Sequence, residues 1–420
     1  MVNDYKQMES EIALVERTRY IRHQSLNSAV VLNHSYMGTG LVRHEVLTEQ
    51  ATDDVYTSPK IRISEDNGRT WSQWVIDPKS YRQGEYSMEL FETCRLFYPS
   101  NGKLFRIMFQ RIFKGDPSIA IRSYFNKSER LFWDHAFYQL SNDEGLSWGS
   151  MNLIKYEEGD CFDESNWGRV EYLNNNIMYS GYNAVINKED EIVYSASVST
   201  LHTEDDINET VDGIFIFIAK WDQAVQKYEW RRIAKLSVSS RTSSRGLMEP
   251  WLAVLQDGSI LLEARGSSTK LTPGRKWYSI SRDGGDTWTE ISDFRYSSGE
   301  QFYAPSSFAK MIRSSKNKKL YWIGNISNTL PEGNWPRRPL FIAEFDEEDI
   351  GLRKQTLTVI DDYEPQNDAS DKVQFSNFSV IENRETGQLE LYLTRYGEFG
   401  ELLTKKYFES DVFKYVITLK

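Results

Sequence analysis

The octet SRDGGDTW occupies residues 281–288, and two others share its plan: SEDNGRTW at 64–71 and SNDEGLSW at 141–148. All three read Ser-x-Asp-x-Gly-x-Ser/Thr-Trp. The segments leading into them, KIRIS (60–64), FYQLS (137–141) and WYSIS (277–281), alternate or run apolar, which predicts strands. The octets themselves predict turns. Their Asp accepts backbone N–H groups as in an Asx-turn, their Gly permits positive φ, and their Trp is expected to begin the next strand and bury a large ring. Each octet is therefore expected to staple a hairpin.

Working outward from the third octet completes a unit. EPWLAVLQ (249–256), an Asp-Gly turn and SILLEARG (259–266) read as a hairpin; KWYSIS then leads to the octet, and TWTEIS follows it. That makes four antiparallel strands. YPSNGKLFRIMFQ (98–110) followed by the second octet repeats the plan. So do KEDEIVYSASVS (188–199) with GIFIFIAKWD (213–222) and KYEWRR, and KNKKLYWIGNIS (316–327) with RPLFIAEFD (338–346) and KQTLTVID. A last unit, ETGQLELYLTRYG (385–397) and FKYVITL (413–419), lacks a fourth strand, which the N-terminal residues would supply. The octets start 77 and 140 residues apart, and a period of about 70 divides the 420 residues about six times. The expected fold is all-β: one six-bladed β-propeller over residues 1–420, with seven blades as the runner-up. No strong helix pattern and no linker interrupts it.

Composition narrows the function. A net charge of −11 argues against a nucleic-acid binder, and an anionic ligand would need a local basic pocket. No apolar run is long enough to span a bilayer. The N-terminal MVNDYKQMESEIALVERT has no basic start followed by an apolar stretch, so the cytoplasm is the expected location, or the periplasm or exterior if a leader has been removed. Cys94 and Cys161 form neither a disulfide framework nor a zinc pattern and are expected to be small buried hydrophobes. No loop has the oxygen density of a calcium site, so neither metal nor cofactor is expected.

Topology sorts the polar residues. The octets and the Asp-Gly turn fall on one rim of the blades. The opposite rim collects the starts of first strands, the ends of second strands and the starts of third strands, around the axis. Glu249 and Arg265 should meet there. Tyr303, Asn325, Asn328, Arg337 and Arg338 belong to that rim in the fifth blade, Asp134 and His135 in the second, Arg22, Asp53 and Asp54 in the first, and Phe375, Asn377, Phe378 and Arg395 in the last. Several arginines thus converge on one end of an acidic protein, which suits a carboxylate ligand.

The octets resemble the Asp-boxes, or bacterial-neuraminidase repeats, of the sialidase superfamily, and MEPWLAVLQDGSILLEAR (248–265) resembles that family's fourth-blade segment. The resemblance implies that Arg22, Arg265 and Arg338 grip a substrate carboxylate, with Arg337 able to replace Arg338. It further implies that Asp54 protonates the leaving oxygen and that Glu249 activates a nucleophilic tyrosine. The sequence departs from the family where that tyrosine should stand: QFSNFSVIEN offers Phe375 or Phe378, so Tyr303 or Tyr182 would have to reach the same point. The leading expectation is an exo-acting glycoside hydrolase on a glycan bearing an acidic sugar, with Glu249 and Asp54 sharing acid and base duties and Asn377 and Arg395 adding contacts. A uronic-acid-directed polysaccharide lyase using Tyr303, His135 and Asn377 is the second reading, and a non-catalytic glycan-binding or scaffolding propeller is the third.

Overall fold

The structure, a computed structural model, describes residues 12–23, 28–52, 54–56, 59–76, 81–98, 100–125, 129–179, 181–202, 210–398 and 410–420. Six antiparallel sheets follow one another along the chain and form a six-bladed propeller. Each blade runs outward from a first strand near the axis. The first strands are Ala29–Tyr36, Tyr86–Tyr98, Ala184–Ile186, Met248–Val254, Lys310–Arg313 and Phe378–Glu382. The sixth sheet takes its outermost strand, Ile12–Ile21, from the other end of the chain, paired antiparallel with Val412–Leu419.

Burial follows this radial order. The second strands Ile260–Arg265, Leu320–Asn325 and Leu389–Thr394 are buried at every position, because a neighbouring blade covers each face. The outer strand Val75–Ile76 is exposed. Continuous apolar runs therefore mark the middle of a blade, and the short outer strands carry little pattern of their own.

The three octets build the same turn. In the first, Ser64 Oγ donates to Asp66 Oδ1 and accepts from the Gly68 N–H, both at 2.8 Å, while Asp66 accepts from the Thr70 N–H at 2.8 Å and from its hydroxyl at 2.6 Å. Ser141–Asp143–Gly145–Ser147 and Ser281–Asp283–Gly285–Thr287 repeat those four bonds. The fourth octet residue is also left-handed: Asn67 at φ 62°, Glu144 at 56° and Gly284 at 77°. Each turn joins a third strand to a fourth, as expected. The tryptophans, however, precede the fourth strands and are only half-buried. Trp71 and Trp148 lie under the guanidinium groups of Arg62 and Arg106, at 4.8 and 3.9 Å, and Trp288 donates to Gly285 O.

Two further expectations need correction. Cys94 is buried but Cys161 is exposed. A helix, Pro117–Phe125, enters between the second and third strands of the second blade. Its start was written locally: Asp116 accepts from the Ile119 N–H through its side chain, and Pro117 opens the helix where no N–H is needed.

Candidate functional site

A cavity of about 610 Å³ opens on the rim opposite the octets, and all six blades line it. Its ionisable wall consists of five arginines (Arg111, Arg130, Arg245, Arg265 and Arg337) and four carboxylates (Asp54, Asp134, Asp212 and Glu249). Tyr56, Tyr124, Phe132, Tyr179, Tyr182, Phe308, Trp335 and Tyr396 supply flat apolar surface between them. A wall that is slightly basic in a chain of net charge −11 is a local reversal of the global field.

Glu249 is placed by its own backbone. Pro250 cannot donate to the sheet, and the register of the first two strands of blade four slips between Met248 and Trp251. At this bulge Glu249 takes φ 49°, a left-handed conformation that costs a side-chain-bearing residue about 1–2 kcal/mol. Its N–H is held by Ser197 Oγ from the third blade at 2.8 Å. The carboxylate thereby faces Arg265, with Oε2 and Nη1 2.6 Å apart, an ion pair whose angle falls short of a hydrogen bond. Burial alone would push the Glu249 pKa up, but Arg265, Arg337 and Lys276 together hold it below the ordinary carboxylate value.

Arg265 spends its remaining donors on Ser306 Oγ at 2.7 Å and Asn334 Oδ1 at 3.4 Å. Arg337 arrives from the fifth blade and is pinned through Nε and Nη2 to the Ser306 carbonyl, at 3.0 and 2.6 Å, and through Nη1 to Ser376 Oγ at 3.3 Å. Burial and the Arg265 charge push its pKa down to about 10. Asp54, from the first blade, stands exposed at φ 54°, and no hydrogen bond or ion pair engages its carboxylate among the described residues. Asn377 donates to the Tyr396 hydroxyl at 2.9 Å, and that hydroxyl donates to Gln50 Oε1 at 3.1 Å.

Asp134 and Tyr182, both named from the sequence, line one cavity together with five of the ten residues given catalytic or binding roles there: Glu249, Asp54, Arg265, Arg337 and Asn377. The other five lie elsewhere. Arg22 follows the outermost strand of the sixth blade and is exposed, away from the lining, because that strand runs along the perimeter. Arg338 points at Asp362, 3.8 Å away, and packs over the Tyr363 ring. Arg395 is buried between Asp361 and Asp368 with Phe375 beneath it. His135 is sealed in a central strand, stacked on Tyr172 with Nε2 3.1 Å from that residue's carbonyl, and burial pushes its pKa down to about 4. Tyr303 lies under the Arg275 guanidinium at 4.6 Å, ahead of the first strand rather than on it. Asp53 falls outside the described residues.

The missing tyrosine is also accounted for. Phe378 packs on Phe308, 5.2 Å between ring centres, and Phe308 packs in turn on Tyr182 at 5.4 Å. Phenols reach the cavity from the third blade instead: Tyr179 and Tyr182 share a hydrogen bond of 3.0 Å. Burial, then the Glu249 charge, pushes the pKa of each well up, so both keep their protons. Arg111 was not anticipated. It sits near the end of a second strand, as the rim rule requires, but inside the apolar run LFRIMFQRIF, where it looks like an interruption. It makes a two-pronged pair with Asp134, both contacts at 2.7 Å, enclosed by Phe109, Phe132 and Tyr179.

No protein-family model matches the chain, and no curated protein matches its sequence. Solved structures do match. A Dyadobacter fermentans protein of unknown function aligns over 97% of this chain and 100% of its own, at 12% identity and a TM-score of 0.62. The NanB sialidase of Streptococcus pneumoniae aligns over 96% of this chain and 70% of its own, at 14% identity and a TM-score of 0.57. The α-L-arabinanase of Penicillium chrysogenum aligns over 94% and 93%, at 13% identity and a TM-score of 0.51. At these identities the likeness is one of fold: this chain shares its six-bladed propeller with glycosidases of more than one specificity.

Proposed function

We propose that this protein is a propeller glycoside hydrolase acting on a glycan end that carries a carboxylate. The observation that carries the reading is Glu249 held ionised by Arg265 and Arg337 on the wall of a cavity to which all six blades contribute. The lowered pKa of Arg337 corresponds to roughly 3 kcal/mol of unfavourable burial and repulsion. A sugar carboxylate placed beside it and Arg265 would recover much of that, in two charge-assisted contacts. The aromatic lining suits the apolar faces of sugar rings.

In this reading Glu249 is the base and Asp54 the acid. Glu249 takes a proton from water, whose oxygen attacks the anomeric carbon. Asp54 gives its proton to the departing glycosidic oxygen as the C–O bond breaks. Direct attack by water accords with Phe378 at the point where the sialidase-like sequence calls for a tyrosine, and with Tyr179 and Tyr182 staying protonated beside Glu249. No hydrogen bond or ion pair engages the Asp54 carboxylate among the described residues, which leaves it available to a leaving group.

The test is a panel of acidic oligosaccharides, followed by release of reducing ends and by absorbance in the near ultraviolet. Hydrolysis releases reducing sugar with no new chromophore, and Glu249→Gln abolishes it. A new unsaturated chromophore would replace this reading by the lyase one. Binding with neither product would make the protein a lectin-like propeller, and turnover retained in Glu249→Gln would remove Glu249 from the chemistry.

A further inference from the structure

Three strands of the second blade carry a row of ionisable side chains across the sheet. Glu89 stands opposite Arg111, and Arg111 stands opposite Asp134. One guanidinium therefore lies between two carboxyls, and it gives both prongs to Asp134. No ion pair engages Glu89 among the described residues, and its Oε2 is sealed from solvent without a hydrogen-bond partner. An ionised carboxyl in that position would be a buried charge only partly offset by an arginine already committed to Asp134, whereas the neutral acid is tolerable. Burial pushes the Glu89 pKa up to about 7; Asp134 and Asp54 add to the rise, and Arg111 and the Tyr56 backbone oppose it.

The same row touches the turn that carries Asp54. Arg111 Nη1 donates to the Asp54 carbonyl at 3.4 Å, and the Tyr56 backbone lies close enough to the Glu89 carboxyl to favour its ionised form. Segment 54–56 is thus tied to the second blade through Arg111 and lies beside Glu89. Asp54 is left-handed, a backbone state that persists only where its surroundings enforce it.

We propose that Glu89 is a positioning residue of the cavity: as a neutral acid it leaves Arg111 to Asp134, and Glu89 and Arg111 together hold the Asp54 turn against the wall. This rests on the reading of Asp54 as the acid. When Glu89 loses its proton, a second negative charge faces Arg111, draws it away from Asp134 and loosens its contact with the Asp54 carbonyl. The groups that face this row are Asp54 and Tyr56 from the first blade, Tyr179 from the third beside Arg111, and Arg130 beside Asp134.

The experiment needs no substrate. The 15N resonance of Arg111 Nε is followed against pH in the wild type and in Glu89→Gln. In the wild type it is expected to titrate with a midpoint near 7, and in the variant not to move. A carboxyl whose folded pKa is raised loses stability as pH rises from the ordinary carboxylate range through its folded pKa. Glu89→Gln should therefore melt with the wild type near pH 4 and above it near pH 8. An Arg111 signal that ignores pH, or a melting offset equal at both pH values, overturns the proposal. If the variant does not fold, 13C titration of the assigned Glu89 carboxyl in the wild type decides instead: a midpoint near 7 is expected, and one below about 5 overturns the proposal. With a cleaved glycoside in hand, the alkaline fall of kcat should vanish in Glu89→Gln. A wild type that cleaves nothing overturns the hydrolase reading, while the Arg111 resonance still decides on Glu89.

Discussion

The two rims of this propeller use carboxylates in opposite ways. On the octet rim, Asp66, Asp143 and Asp283 each accept from a hydroxyl and an N–H four residues ahead, and from a serine two residues behind. Those hydrogen bonds push the pKa of Asp66 and Asp143 down to about 2 although both are open to water. On the cavity rim, no hydrogen bond or ion pair engages the Asp54 carboxylate among the described residues, Glu249 faces two arginines, and Glu89 faces an arginine that gives both its prongs to Asp134. The first rim satisfies its charges locally and is finished; the second leaves charge and hydrogen-bonding capacity over, and a ligand can use the remainder. The difference teaches where chemistry is available in a fold built from repeats.

That contrast can be broken by experiment, beginning with the strongest effect. Glu249→Gln should lower kcat by about 10²–10⁴-fold, and because it leaves the buried Arg265 without its charged partner it should also lower the melting temperature at neutral pH. Unchanged kcat would place the cavity rim on the same structural footing as the octets. Asp134→Ala leaves Arg111 without its partner among aromatic rings and should cost about 3–5 kcal/mol in denaturant unfolding. A loss well under 1 kcal/mol would mean that Glu89 takes over the pair without penalty. Arg337→Ala should raise KM for an acidic glycoside about 10-fold or more and leave a neutral analogue unaffected, measured by initial rates.

Smaller effects belong to the octet rim. Asp143→Asn should lower the melting temperature at neutral pH and leave kcat alone. A depressed carboxylate pKa contributes stability above the ordinary Asp value and loses it as pH falls through the folded value of about 2. The variant and wild type should therefore converge in strong acid, and a constant gap would show that the hydrogen bonds of the ion are not its source. Glu144→Gly relieves a left-handed glutamate where the third octet already has Gly284, for a gain of at most about 1 kcal/mol, reduced by the lost contact with Thr39.

What was legible in the residues alone follows the same division. The octet turns, the Asp-Gly hairpin and the buried second strands are local in sequence, because each depends on groups within a few positions of one another. Period and blade count come from their spacing. The helix Pro117–Phe125 was equally local and was marked by Asp116 and Pro117, but its apolar pattern merges with the strands on either side. Topology then narrowed the search to one rim and paired Glu249 with Arg265, because one hairpin carries both. It could not separate Arg337 from Arg338, neighbours on one segment that point respectively into the cavity and at Asp362. Nor could it distinguish Arg395, locked between two aspartates on another part of the sixth blade, from a ligand-facing arginine.

The sequence by itself determined a ring of β-sheets, the stapled rim and the rim on which chemistry had to lie, since hairpin order along the chain settles which ends coincide. Only the tertiary structure decided which side chains face one another across that ring. The cavity is assembled from all six blades, by residues spread over more than three hundred positions of the chain. Which of its charges are paired, shared or left over depends on contacts between blades that no local pattern records.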